Sequence, residues 1–344
     1  MNLAITRADD RAPLEVCRSL APTELPRYRD TRYAGDSLQT CLADYPAADR
    51  AALRELYERL TATWSSLAAL IGSARHSAAI DEAGFSEQFA DEVHAVASRL
   101  GMQDTGYSPV ARRALHDIRG GALATLLMDF EMVRDELIWE RDVLLRMFRY
   151  VRDHLKIMRN CIPDIDPARS RADQSAVAHS IDLLKEKWLG VALSGMGRDV
   201  TINLTCDWHG TICESCMEMS ALDRIVYNLI GNAVKYGDGD WIQLRVFPVG
   251  NGSGDIDVLR FVAANPISAA QEAALNRAFD GDLNRIFEAN QTTLGSGYGL
   301  AIILEFVAQA FGLDSTGDAL QQAHVGARII DRHFYTWFHW PSVV

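Results

Sequence analysis

Asn228 and Asn232 stand four residues apart, with Lys235 three residues further on. At helical spacing both amides share one face. Amide oxygens ligate Mg²⁺ and a lysine offers a point charge, so this face suits a metal-bound polyphosphate. Asparagine is a poor interior helix residue, and a solvated polar face is the competing reading. A second candidate is Gly295-Ser296-Gly297-Tyr298-Gly299-Leu300. Its alternating glycines let backbone approach a phosphate, and the helix that follows presents free N–H groups. The Gly-Lys-Ser/Thr ending of a P-loop occurs nowhere in the chain, and a plain flexible loop is the alternative. The third is His116-Asp117-Ile118-Arg119. Asp117 is placed to orient the ring or accept its proton, and Arg112, Arg113 and Arg119 favour an incoming phosphoryl group. A half-buried structural histidine is the bland reading. Cys206, His209, Cys213 and Cys216, spaced C-x2-H-x3-C-x2-C, form a competing constellation that would suit tetrahedral zinc.

The elements that must carry these groups are legible from periodicity. Leu53, Leu56, Tyr57, Leu60, Trp64, Leu67 and Ile71 recur at spacings of three and four, as on one face of a long helix. Phe85, Phe89, Val93, Val96 and Leu100 mark a second helix that stops at Gly101. After Ser108-Pro109 an apolar face runs through Leu115, Ile118, Leu123, Phe130 and Leu137, and another through Leu144, Phe148, Val151, Leu155 and Met158. Together they predict an antiparallel helical hairpin, its apolar stripe covered by a partner, a second copy being the expected one. The segment 164–173, with Pro167, a second proline just before it at 163, and alternating charge, reads as a linker. Beyond it Val200, Ile202, Leu204 and Cys206 alternate with polar residues as a half-buried strand does. Ser220 and Asp223 predict a capped helix start, and the helix ends at Gly237. Strands are expected over 241–249, 256–263 and 329–340, and a helix over 300–311.

These three elements, in this order, resemble the bacterial sensor histidine kinases over roughly 107–341. His116-Asp117-Ile118-Arg119 is similar to the phosphoacceptor motif. Asn228-Leu229-Ile230-Gly231-Asn232-Ala233-Val234-Lys235-Tyr236 resembles the N-box. Gly295, Gly297, Gly299 and Leu300 fall in what resembles the ATP lid, preceded by Arg285-Ile286-Phe287-Glu288, similar to the family's short aromatic motif. The resemblance implies an α+β chain: a helical sensory or regulatory region over 1–105, a dimerisation and phosphoacceptor hairpin over 106–165, and an ATP-binding α/β sandwich over 172–342. The hairpin would form a dimeric four-helix bundle. His116 would be the nucleophile and Asp117 its acid/base. Asn232 would hold Mg²⁺, with Asn228, Lys235 and Tyr236 around the ATP phosphates. The phosphoryl group would pass to an aspartate on a response-regulator receiver domain. Where the family carries Asp-x-Gly-x-Gly, this chain reads Ala263-Ala264-Asn265-Pro266-Ile267, leaving the amide oxygen of Asn265 as the candidate acceptor for the adenine amino group. Gly120-Gly121 replaces the usual polar residue and proline and would supply a bend. A histidine phosphotransferase with a degenerate ATPase-like domain, or a pseudokinase scaffold, remain alternatives.

Composition narrows the field further. The 344 residues are 48% hydrophobic and 23% charged, enough for a core and unlike a disordered chain. The formal charge of −12 excludes a generic basic nucleic-acid binder. The uncharged run 60–74 contains Thr61, Thr63, Ser65, Ser66 and Ser73, and is too short and polar to span a membrane. No secretion signal is read at the N-terminus, so no membrane insertion, a cytoplasmic location and reduced thiols are expected.

Overall fold

The computed structural model describes residues 12–23, 25, 33, 38–72, 82–101, 106–136, 141–195, 197–250, 258–288 and 298–342. The helical part comprises α1 (Leu14–Ser19), α2 (Ala47–Gly72), α3 (Glu82–Arg99), α4 (Pro109–Arg119), α5 (Gly121–Glu136), α6 (Arg141–Cys161) and α7 (Pro167–Asp173). There follow β1 (Ala176–Ser180), α8 (Asp182–Trp188), β2 (Ala192–Gly195), β3 (Arg198–Cys206), β4 (Thr211–Ser215), α9 (Cys216–Tyr236), β5 (Trp241–Val249) and β6 (Val258–Pro266). The chain closes with α10 (Ala269–Ala278), α11 (Gly299–Ala310), α12 (Thr316–Gln321), β7 (Val325–Ile330) and β8 (His333–Pro341). The fold is α+β, as expected. None of the described helices is long and apolar enough to cross a membrane.

The six-stranded sheet has the order β2-β3-β5-β6-β8-β7, and β1 pairs with β4 in a separate two-stranded sheet. Only β3 and β5 run parallel, Ile202 facing Ile242, because the chain crosses between them through β4 and α9. Strand alternation sends Ile242, Leu244, Val246 and Phe261 to one face, where they meet α9 and α11 in the core. The strand expected over 329–340 is a hairpin instead. Asp331 and Arg332 both take positive φ, 49° and 58°, and turn β7 back onto β8.

The helices α2, α3, α5 and α6 pack in a ring, α2 on α3 and α6, α5 on α3 and α6, so one chain builds a four-helix bundle. Leu53, Leu56, Leu60 and Leu67 of α2 are fully buried. Each contributes about 1.5–3 kcal/mol by leaving water. Trp64 and Phe148 stack across α2 and α6, and Arg59 and Arg99 pair with Glu92 and Glu55 across α2 and α3. Within one chain, part of the hairpin stripe that was expected to meet a second copy is covered by other helices, while Val143, Leu145 and Phe148 of α6 stay half-buried. Among the described residues, no large apolar side chain of α4, α5 or α6 is exposed, because α2, α3 and α9 cover them.

The linker expectation is corrected too. Residues 163–165 form a 3-10 turn and 167–173 the helix α7, both tied down. Tyr57 donates to Asp166 at 2.9 Å, Arg159 pairs with Asp173 at 2.7 Å, and Asp164 accepts from the Leu42 N–H at 3.0 Å. The N-terminal segment is held as firmly. Arg260, buried on β6, donates to the carbonyls of Cys17, Arg18, Ala21 and Pro22 and to His339 Nε2.

Candidate active site

His116 rides on α4, which starts where its sequence says it should. The Ser108 hydroxyl accepts from the Ala111 N–H at 3.1 Å, and Pro109 occupies the first turn, where a missing N–H costs nothing. Ala111, Ala114, Leu115 and Ile118 are buried against the neighbouring helices, leaving His116 half-buried at the edge of the packed face. The helix does not bend at Gly120-Gly121, as expected; it stops. The Gly120 N–H donates to the His116 carbonyl at 2.9 Å, and Gly121, the first residue of α5, takes φ +52°. Only glycine adopts that φ freely, so the pair uncouples the direction of the acceptor helix from that of α5.

The N-box-like helix α9 starts at Cys216, earlier than its capping signal suggested. Ser215 is the cap, accepting from the Glu218 N–H at 3.2 Å, while Ser220 and Asp223 lie inside the helix. Asn228 is half-buried, and its amide nitrogen donates to the Arg224 carbonyl at 2.9 Å, which turns Oδ1 outward. A Cβ built on Gly299, the first residue of α11, would stand 2.8 Å from Asn228 Oδ1 and 3.6 Å from His116 Cε1. Tyr298, the N-cap residue of α11, gives no side-chain cap and lies edge-on to His116, centroids 6.3 Å apart. Three elements distant in sequence therefore meet at one point: the helix α4 that carries His116, the first asparagine of the α9 pair and the start of α11, which Tyr298 does not cap.

Asp117 is buried between His116 and α9. Its Oδ1 lies 3.3 Å from His116 Nδ1 and its Oδ2 2.5 Å from Arg224 Nε. Burial pushes this carboxyl up, yet the Arg224 guanidinium and His116 together hold it below the usual carboxylate range. An ionised carboxylate only accepts, so His116 donates from Nδ1 in this contact. Behind this pair Lys187 bridges Asp153 of α6 and Asp223 of α9, and Tyr227 donates to Asp153 at 3.2 Å. Burial, then the neighbouring Asp153, pushes Asp223 up; burial also acts on Asp153, which Lys187 and Arg152 outweigh to hold it low. The buried cluster fixes the hairpin to the sheet domain.

The other residues singled out from the sequence fall elsewhere. Asn232 is half-buried one turn further along α9, and Lys235 and Tyr236 are exposed at its end. Asn265 sits buried on β6, its amide donating to the Pro266 carbonyl at 3.1 Å, close to Gly237 at the end of α9. Leu300 is buried in α11, whereas Gly295 and Gly297 lie outside the described residues. Phe287 is buried in the 3-10 turn before the lid, and Asn284 in that turn accepts from Ala327 of β7 at 3.1 Å. Of the three arginines around His116, Arg113 pairs with Glu305 of α11, and Arg112 and Arg119 are exposed. Arg224 was missed, although it stands four residues before Asn228, a charge among Leu222, Ile225 and Val226.

The zinc alternative fails on topology. Cys206 lies on β3 in the six-stranded sheet, Cys213 on β4 in the other, and Cys216 opens α9. His209 is exposed beside Lys185 and Asp182. Among the described residues no group of three or more histidine, cysteine or acidic side chains is placed to hold a metal ion.

No protein-family model matches the chain, and no curated protein matches it. Among solved structures it is similar to full-length ShkA in complex with AMPPNP, at 18% identity and TM-score 0.31, covering 68% of this chain and 44% of that one. It is also similar to the Acinetobacter baumannii histidine kinase AdeS, at 11% identity and TM-score 0.24, covering 64% of this chain and 94% of that one. The match thus spans less than half of ShkA.

Proposed function

We propose that this chain is a histidine kinase that phosphorylates its own His116 from Mg-ATP and passes the phosphoryl group to an aspartate on a response-regulator receiver domain. The observation that carries the reading is the approach of His116 to Gly299 and Asn228, which sets an imidazole with a free Nε2 beside an uncapped helix start and an outward amide oxygen. The order of the phosphoacceptor-like, N-box-like and lid-like motifs supports it.

The residues present fit the nucleotide. Gly299 has no Cβ to obstruct the approach to Asn228, and its helix α11 begins without a side-chain cap from Tyr298, which would leave its first N–H groups for a phosphate. Asn232 would hold Mg²⁺ through its amide oxygen, with Asn228 beside the phosphates, the ion neutralising their charge. On the adenine side, Asn265 commits its nitrogen to Pro266 and keeps Oδ1 to accept from the amino group. Asp117 holds the proton at His116 Nδ1 while the Nε2 lone pair forms the N–P bond. The bond to the β-phosphate oxygen breaks, its electron pair leaving on ADP.

One observation favours a second reading, a histidine phosphotransferase charged by another protein: the adenine position carries a buried amide in place of a carboxylate. Incubation with Mg²⁺ and γ-labelled ATP separates the two. The kinase gains acid-labile, base-stable label that His116→Ala abolishes. A folded protein that neither binds nucleotide nor takes label, yet accepts phosphate from a phosphorylated receiver domain, overturns the kinase reading.

A further inference from the structure

We infer that Arg224 is a positioning residue for phosphoryl transfer to His116, acting through Asp117. The inference rests on the kinase reading above and deepens it. Arg224 stands on α9, in the sheet domain, while His116 and Asp117 stand on α4 in the helical part. Its side chain is 1% exposed. It lies over the Phe306 ring of α11, 4.3 Å from the centroid, and its Nε meets Asp117 Oδ2 at 2.5 Å. Its backbone carbonyl takes the Asn228 amide hydrogen at 2.9 Å. One residue therefore touches all three elements that converge on the acceptor.

The geometry gives Arg224 two effects. The Asp117 carboxylate is planar and its oxygens are divided, one to His116 and one to Arg224. Fixing Oδ2 fixes the direction in which Oδ1 accepts from Nδ1, and through the rigid ring the direction of Nε2. The second effect is on charge. With the guanidinium in place Asp117 stays a carboxylate that accepts from His116 Nδ1. Without it, a buried carboxylate faces an imidazole with nothing to offset it. The pair then takes up a proton at higher pH, and either location of that proton disables the site: on Nε2 it removes the nucleophile, on Asp117 it releases Nδ1. Among the described residues, the other ionisable groups at this junction include Tyr298, edge-on to His116, His154 of α6, which acts on Asp117 electrostatically, and the Arg113–Glu305 pair between α4 and α11. None of these supplies a positive charge to Asp117: His154 is held neutral by burial, and Arg113 is engaged by Glu305.

The test compares wild type, Arg224→Gln, Arg224→Lys, Asp117→Asn and the Arg224→Gln/Asp117→Asn double variant, each checked for a cooperative melt. Arg224→Gln is expected to lower the rate of His116 labelling roughly 100-fold at neutral pH, a misorientation-sized loss. KM for Mg-ATP stays unchanged, and the acid limb of the pH–rate profile moves to higher pH. Arg224→Lys is expected to restore the pH profile and only part of the rate, since the ammonium replaces the charge without the fork. The double variant is expected to lose no more than Asp117→Asn alone. A folded Arg224→Gln or Arg224→Lys with wild-type rate and pH profile overturns the inference, as do losses that multiply in the double variant. If Arg224→Gln does not fold, the same criteria are read from Arg224→Lys alone and combined with Asp117→Asn. If the wild type takes no label, the kinase reading fails separately. The inference is then read from the ring titration of His116 by NMR, which must move to higher pH in Arg224→Gln relative to wild type and Arg224→Lys; an unmoved titration in Arg224→Gln overturns it.

Discussion

Trp64 of α2 and Phe148 of α6 stack with ring centroids 5.5 Å apart and planes at 24°. The contact joins the N-terminal helices to the hairpin that carries His116, on the face a second copy was expected to fill. The full chain is therefore expected to run as one copy at micromolar concentration in light scattering. Deleting residues 1–105 bares the apolar faces of α5 and α6 and is expected to cause association or loss of the cooperative melt. A full chain of twice the single-copy mass would mean that another face joins copies. Within the bundle, Leu60→Ala, at a fully buried site, is expected to cost about 2–5 kcal/mol in urea unfolding.

Gly121 adopts φ +52°, and a Cβ there meets Tyr227 at 3.6 Å, an ordinary contact. Space is available, so the cost of a side chain is one of backbone. Gly121→Ala is expected to lower stability by about 1–2 kcal/mol. Because the same turn aims α4, its labelling rate is expected to fall as well, measured with γ-labelled ATP. Unchanged stability would show that α4 and α5 join without strain when glycine is absent.

Arg260 holds the carbonyls at the end of α1 from the middle of the sheet. Arg260→Leu removes the donors and leaves those carbonyls buried without them. A loss of about 1–3 kcal/mol is expected for each buried acceptor left without a donor. Limited proteolysis is expected to cut the variant first within residues 12–25. A variant cut at wild-type rates there would show that apolar contacts alone hold the segment.

Acid is expected to unfold the protein early. Burial pushes His154 down to about 3, and burial with the neighbouring Arg260 holds His339 well below its ordinary value. The unfolded chain protonates these rings below about pH 6.5. Their contribution is full above that pH and is lost as pH falls toward the folded values. The expected slope is about 1.4 kcal/mol per pH unit for each ring, read from urea melts between pH 6.5 and 4.5. His154→Leu is expected to flatten that slope by one ring's share. An unaltered slope would mean that His154 titrates alike in both states.

The sequence by itself determined the elements and their chemical equipment. Periodicity of three and four placed α2, α4 and α6, and period-two alternation placed β3, because each face's apolar pattern must match the geometry that buries it. Asn228, Gly299 and His116 were marked by residue type against local background: an amide in a helix, glycines before a helix, a histidine beside an acid and arginines. Boundaries were less secure. The Ser220 signal lost to Ser215, since the stretch from Cys216 to Met219 already had apolar neighbours to bury it. The 329–340 strand proved to be two, because Asp331 and Arg332 tolerate a turn that no glycine announced.

Only the tertiary structure decided which face meets which. A stripe of leucines states that it must be covered and says nothing of what covers it, and here α2 and α3 of the same chain pack against α5 and α6. The same holds at the site. Arg224 and Asp117 are 107 residues apart, and no local pattern links a charge on one helix to its counter-charge on another. Their pairing is fixed by the low dielectric of the interior, where neither group tolerates burial without the other.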